Sequence, residues 1–230
     1  MNYSDTVIGT FLSRPNRFIA HVMVDGETVV CHVKNTGRCK ELLIPGARVV
    51  LQKSDKPERK TGYDLIAVWK GERLINMDSG APNKVFGEYL GSGLYIEGLT
   101  LIKPETKYGN SRFDFYAEAG ERKIFIEVKG VTLEENGVVM FPDAPTERGV
   151  KHLNELAGCV RDGYEAHAIF IIQMSGVRYF TPNVKTHRLF GEALIAAHKA
   201  GVKITALDCE LTENSLNVGN SVPVKLTSEL

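Results

Sequence analysis

Between Ser111 and Gly130 the chain reads SRFDFYAEAGERKIFIEVKG, two runs of alternating apolar residues hinged on Gly120-Glu121. This stretch leaves a chain little freedom. A period of two demands strands, and a two-residue turn with glycine first, where φ must be positive, fixes their register. Ala119 then lies opposite Arg122, and counting back from that pair sets Asp114 against Glu127 and Arg112 against Lys129. Alternation assigns Phe113, Phe115, Ile124, Ile126 and Val128 to one face. Arg112, Asp114, Tyr116, Phe125, Glu127 and Lys129 share the other.

Facing residues have Cβ atoms about 4.5–5.5 Å apart, and two carboxylates so placed repel unless something positive lies between them. A divalent cation suits the position. Mg²⁺ takes oxygen ligands, keeps several waters and is held by one or two carboxylates together with substrate phosphate oxygens. The acids therefore predict Mg²⁺ or Mn²⁺ as cofactor, with Asp114 and Glu127 as ligands and Lys129 orienting a water or meeting charge that develops on a phosphate. The other reading of the same residues is a solvated cross-strand ion network, which contributes little.

The N-terminal third alternates as well. RFIAHVMV and ETVVCHVK flank Asp25-Gly26, a hairpin dipeptide, so Phe18 faces Val33, Ala20 faces Cys31 and Val22 faces Val29 on a core side. The opposite side carries Arg17, Ile19, His21 and Met23 against Lys34, His32, Val30 and Thr28. With GARVVLQKS and GYDLIAVWKGERLINMD the count reaches five short strands in the first 80 residues, the pattern of a small OB-like barrel. Such barrels hold oligomers or single strands on a strand face. Lysines plus arginines equal acids at 28 each, so affinity for nucleic acid must come from a local patch. Residues 12–40 supply one: Arg14, Arg17, Lys34, Arg38 and Lys40 against Asp25 and Glu27, three net positive charges.

The four cysteines are scattered without a C-x-x-C pair, and adjacent Cys31 and His32 point to opposite strand faces, which argues against structural zinc. Reduced thiols and an N-terminus without a basic-then-apolar leader predict a cytoplasmic protein. No apolar run approaches membrane-span length, so no membrane partner is expected.

After Asp78 the texture changes to a short helix in NKVFGEYL, three strands, a helix in TERGVKHLNELAGCVRDG, a buried strand AHAIFIIQM, a helix in VKTHRLFGEALIAAHKAG and a strand VKITALD. In the second helix Val150, Leu153, Ala157 and Val160 form an apolar stripe, with Asp143 or Thr146 available to cap it and Gly163 to end it. Arg148, His152 and Glu155 share the side opposite that stripe. The polar tail beyond Asp208 is expected to be poorly ordered. Helices on both sides of a mixed sheet follow, with a barrel domain over residues 1–80 and an α/β domain over residues 81–230. An acid on one strand, E-x-K on the next and this element order resemble the PD-(D/E)xK nuclease core, although Phe113 stands where a proline often precedes the first acid.

The segments RFIAHVMVDG, HVKNTGR, ELLIPG, PNKV, SRFDF, IEVKGVTL, FPDAPTERGVKHLNEL and AGV, in this order, make nearly the whole chain similar to the sugar fermentation stimulation protein A family. FPDAPTERGVKHL is the most specific of them, and Lys34 departs from the proline that often precedes NTG. The resemblance implies an OB-like domain, a nuclease-like domain, DNA binding of low sequence preference and a link to regulation of sugar (maltose-type) metabolism.

Carried over, the nuclease pattern falls on Asp114, Glu127 and Lys129 as catalytic residues, with Glu88 from the first helix as a fourth acid and the Val128 carbonyl as a metal ligand. Glu88 is equally readable as an exposed helix glutamate. DNA contacts are expected from Arg17, His32, Lys34 and the loop residues Asn35, Thr36 and Arg38, where Gly37 permits close approach, and from Arg148 and His152. The loop is equally readable as an ordinary turn. Trp69 and Tyr63 alternate on one strand and suit either base stacking or the core. Two functions emerge: a metal-dependent deoxyribonuclease, or a non-catalytic DNA-binding regulator that acts by occupancy. Self-association is left open.

Overall fold

The computed structural model describes residues 1–35, 37–55 and 58–226. The hairpin dipeptides do what their chemistry requires: Asp25 and Gly26 both adopt positive φ, +49° and +85°. They join β2 (Ile19–Val24) to β3 (Glu27–Val33) in the predicted register, with Ala20 opposite Cys31 and Val22 opposite Val29. β4 (Arg48–Lys53), β5 (Tyr63–Lys70) and β6 (Arg73–Asn76) follow. β1 (Thr6–Asn16) is a strand that alternation does not announce. Its pairing with β2 slips between Phe11 and Ser13 and again before Asn16, so inward and outward positions change parity along it. The strand order is β3-β2-β1-β4-β5-β6, and a parallel β3–β5 pairing closes the first five into a barrel of the OB type.

The second half centres on a mixed sheet ordered β15-β14-β12-β9-β8-β7. α1 (Ala81–Gly91) precedes the antiparallel run β7 (Leu99–Tyr108), β8 (Ser111–Ala119) and β9 (Arg122–Val131). β10 (Leu133–Glu135), β11 (Val138–Phe141) and β13 (Tyr179–Pro182) make a small separate sheet. β12 (Glu165–Ile172) and β14 (Lys203–Leu211) run parallel to β9, their crossovers carrying α2 (Glu147–Arg161) and α3 (Arg188–Lys199). α1 packs one face of the sheet and α2 the other. Beyond Asp208 a strand forms where a loose tail is expected: β15 (Leu216–Val222) pairs antiparallel with β14, and Leu216 and Val222 are buried. Two or three inward apolar residues suffice to dock an edge strand whose remaining positions are polar. Among the described residues no helix is long and apolar enough to cross a membrane.

The barrel and the α/β half meet through buried polar groups. The Asn76 N–H donates to the Gln173 carbonyl at 2.9 Å, and the Gln173 amide donates to the Asn76 side-chain oxygen (2.8 Å) and the Asp78 carbonyl (3.0 Å). Asn76 also donates to Tyr3 Oη (3.0 Å), which donates to Asp78 (3.3 Å), and Asp78 pairs with Lys34 at 2.6 Å. Nearby, buried Glu134 on β10 takes Lys70 (2.8 Å) and Arg73 (2.7 Å) from the β5–β6 hairpin. Burial pushes the Glu134 carboxyl up, but hydrogen bonds from Lys70, the Gly137 N–H and Arg73 outweigh it and hold the group at about 2, below its ordinary 4.5. A carboxyl depressed by folding stabilises the fold fully above its ordinary value and loses that contribution as pH falls toward the folded one. Wild type is therefore expected to lose urea stability on this account between about pH 4.5 and 2. Glu134→Gln should destabilise the protein by about 1–3 kcal/mol at pH 7 and flatten that acid limb, both read from urea midpoints across pH.

Candidate active site and strand-binding face

The β8–β9 register is the expected one, Ala119 against Arg122 through to Phe115 against Ile126, and there the ladder ends. From Ser111 to Phe113, β8 stays paired with β7 alone, and Asp114 pairs with neither strand. Glu105, facing that point on β7, has a φ of +48°. The split frees the Val128 N–H, which donates to Asp114 Oδ2 at 2.7 Å, while Asn83 at the start of α1 donates to Asp114 Oδ1 at 2.6 Å.

The same split overturns the simple two-face assignment. Phe115 meets Phe86 of α1 at 5.8 Å between centroids, but Phe113 meets His152 of α2 at 5.9 Å and Phe125 at 5.6 Å. Two residues of equal parity thus point to opposite faces. Asp114, at the crossover, turns toward the backbone of β9 rather than standing beside Glu127 as a matched pair. Gly130 ends this stretch because a Cβ there would lie 2.7 Å from both Gln173 Oε1 and Pro82 Cγ, so only glycine lets α1 begin so close to β9.

Glu127 is buried, 4% exposed. Its Oε1 is bonded by both Lys129 Nζ and His152 Nδ1, and its Oε2 is buried without a partner. Arg148 Nε donates to His152 Nε2 at 3.3 Å, which makes that nitrogen the acceptor and leaves the ring proton on Nδ1 to be given to Glu127. His152 is accordingly on the buried face of α2, not opposite it. The helix start is as expected, capped by Thr146 Oγ1 accepting from Gly149 N at 3.0 Å.

The two acids are driven apart electrically. Burial raises the Glu127 carboxyl, but the His152 hydrogen bond and the Lys129 charge outweigh it and hold the group below its ordinary value. Asp114 is raised, first by burial and then by the Glu127 charge, against the opposing Val128 N–H, Lys129 and Asn83. No three His, Cys, Asp or Glu side chains gather as a ligand cage among the described residues. The donor set is hard oxygen: two carboxylates, one of them with an orphaned buried oxygen. That fits an ion such as Mg²⁺ or Mn²⁺, which completes its shell with water and phosphate oxygens.

Glu88 is not brought to these acids. Half exposed, it pairs with the N-terminal amino group at 2.8 Å, and Asn83 is the α1 residue at the site. The strand-binding candidates divide. Arg17 and Arg38 are exposed, with no side-chain partner among the described residues, and with Lys40 they line a cleft of about 700 Å³ floored by Phe11, Leu12 and Leu43. Lys34 instead neutralises buried Asp78, and His32 bonds Asp64 at 3.0 Å, so tertiary partners claim both. Asn35 accepts from the Gly37 N–H at 2.7 Å, bracing the loop, and Thr36 lies outside the described residues.

Sequence reasoning counted Arg14 as a surface charge. Its Nη1 donates to the carbonyls of Gly37 (2.9 Å) and Arg38 (2.7 Å), its Nη2 to those of Arg17 and Asn35 (both 2.7 Å). One guanidinium thereby shapes the whole basic loop, a role no local pattern announces. Trp69 stacks with Arg48, 4.0 Å above its ring centroid, and the four cysteines are free and buried.

Residues 12–77 match the SfsA N-terminal OB domain, and residues 80–215 the sugar fermentation stimulation protein RE domain. A sugar fermentation stimulation protein homolog of Desulfitobacterium hafniense (strain Y51) is 65% identical over 226 residues, covering 98% of this chain and 99% of the relative. The chain belongs to the sugar fermentation stimulation protein family. A family member from Ruminiclostridium cellulolyticum is 59% identical, with 98% of this chain and 100% of the relative covered. The structure of Pyrococcus furiosus SfsA in complex with Ca²⁺ superposes with a TM-score of 0.87 at 32% identity, over 98% of each chain.

Two outcomes follow from the geometry. Asp114→Asn, which removes a carboxylate charge and leaves one acceptor oxygen for the two donors Val128 N–H and Asn83, should abolish any rise in melting temperature on adding Mn²⁺. Arg14→Ala should speed hydrogen exchange of the Gly37 amide, held by Asn35 Oδ1 within the loop that Arg14 braces, roughly tenfold or more, since it removes hydrogen bonds worth about 1 kcal/mol each.

Proposed function

We propose that the protein is a metal-dependent nuclease acting on DNA in the cytoplasm, with the OB-like barrel holding the strand at low sequence specificity. The observation that carries this reading is the acid pair at the β8–β9 split, with Glu127 Oε2 buried and unpartnered. A buried carboxylate oxygen without a donor is costly, and a cation at that point relieves the cost. Calcium in the Pyrococcus furiosus SfsA structure supports a divalent ion at this fold. Asp114 and Glu127, with the Val128 carbonyl, are the residues we assign to Mg²⁺ or Mn²⁺. Such an ion, when bound, polarises a phosphodiester and lowers the pKa of a water beside it.

The chain's own groups do the rest. His152, its tautomer fixed by Arg148, holds Glu127 in one orientation and keeps it ionised. Lys129 donates to Glu127 in the free protein, and its remaining N–H donors can orient an attacking water or meet charge on a phosphate oxygen. Asn83 and the Val128 N–H fix the Asp114 carboxylate from two sides. Arg17, Arg38 and Lys40 are cations without partners among the described residues and suit flanking phosphates.

The test is a gel assay on single-stranded, duplex and branched DNA with Mg²⁺ or Mn²⁺. Cutting is expected to depend on the metal and to disappear in Glu127→Ala, which should still bind DNA in EDTA. If every substrate survives while binding persists, the nuclease reading falls and the protein is a DNA-binding regulator that acts by occupancy.

A further inference from the structure

Phe18 sits at a core-parity position of the first hairpin, in step with Ala20 and Val22, which are fully buried. Its backbone keeps the register, the Phe18 carbonyl accepting from the Val33 N–H at 2.8 Å. Its ring nonetheless stands 51% exposed. Burying a phenylalanine is worth about 1.5–3 kcal/mol, so the fold forgoes stability here.

The turn that presents the ring is braced rather than loose. Asn16 Oδ1 accepts from the Phe18 N–H (2.9 Å) and the Ile19 N–H (3.0 Å), and Arg14 grips the Arg17 carbonyl at 2.7 Å. A ring on a fixed backbone loses little entropy when a partner stacks on it. Among the described residues the other large exposed apolar side chains, Ile8, Val30, Ile44, Leu94 and Leu189, are aliphatic and line neither cleft beside this turn.

The surroundings define what would stack. On one side of the turn the ring lines a cleft of about 460 Å³ between barrel and α1, with His32, Asn35, Gln52 and exposed Lys84. On the other side Arg17, Arg38 and Lys40 line the basic cleft. Hydrogen-bonding groups beside an aromatic ring, with cations next to it, match a base and its phosphates. A base inside a duplex is already stacked on both faces, so the partner must be unpaired. α1 links the cleft to the acids, carrying Lys84 to the one and Asn83 onto Asp114 of the other.

We propose that Phe18 is a stacking platform for an unpaired base of a nucleic-acid strand whose phosphates lie along Arg17 and Arg38. The inference rests on the DNA-binding part of the proposed function and not on cleavage, so it is tested in EDTA. Full-length wild type, Phe18→Tyr and Phe18→Leu are titrated with a single-stranded oligonucleotide carrying one 2-aminopurine, and with its duplex, following anisotropy and 2-aminopurine emission. Thermal melts check that each variant is folded, as substitution of a half-exposed ring should permit.

Wild type and Phe18→Tyr are expected to quench the bound probe. Phe18→Leu should leave it brighter and weaken single-strand binding by roughly 5- to 100-fold, with duplex binding unchanged. Equal affinity and equal emission for Phe18→Leu would overturn the assignment, as would an equal loss on single strand and duplex. If wild type binds no strand at all, the DNA-binding reading fails, and this inference with it.

Discussion

A carboxylate taken out of water must be surrounded by donors or it will not stay ionised, and Glu127 imposes that requirement on everything near it. α2 places a histidine inside its buried face, where an aliphatic residue would ordinarily sit, because Glu127 needs the imidazole proton. Arg148 takes up the other nitrogen of that ring, and Lys129 comes from the next outward position on the same strand. β8 leaves the ladder beside this group, so the amide it releases at Val128 becomes a donor for Asp114. The break in the sheet and the making of the acid site are one event. A continuous ladder would have given Val128 a backbone partner and left Asp114 without its amide donor.

Much of this was readable from residue order because it depends on local rules. Asp25-Gly26 fixed a hairpin register that holds along the whole pair, Gly120-Glu121 one that holds from Ala119–Arg122 as far as Phe115–Ile126, and Thr146 marked the start of α2. Alternation set Asp114, Glu127 and Lys129 on one face and the resemblance to the nuclease core gave them roles; in the structure Lys129 meets Glu127, while Asp114 turns to the Val128 N–H. What failed was whatever depends on a partner distant in sequence. Phe113 reverses face because β8 peels away, and His152 is drawn inward by a glutamate 25 residues earlier. Lys34 is claimed by Asp78, Glu88 by the chain's first residue and Arg14 by four carbonyls. β1 escaped notice because its bulges scramble the period that makes a strand visible.

A chain with no net charge can still present a cationic face if its acids are spent elsewhere. Asp64 takes His32 and Arg59, Glu134 takes Lys70 and Arg73, and Asp78 takes Lys34. Arg17, Arg38 and Lys40 remain without partners among the described residues, around a cleft whose loop is shaped by a fourth cation, Arg14, committed to four carbonyls. The field on this face comes from how charges are paired, which composition does not record.

The seam between the halves has a mechanical consequence. Gln173 crosses it to Asn76 and the Asp78 carbonyl, Tyr3 and Lys34 brace Asp78 from the barrel side, and Glu134 crosses beside them to Lys70 and Arg73 of the β5–β6 hairpin. Rocking one half against the other would strand several of these groups at once, at about 1–3 kcal/mol each. Hinge closure is thus costly for this molecule. Any polymer that touches both halves meets a fixed angle between them, so it is the polymer that must bend, and its stiffness enters directly into which molecules fit.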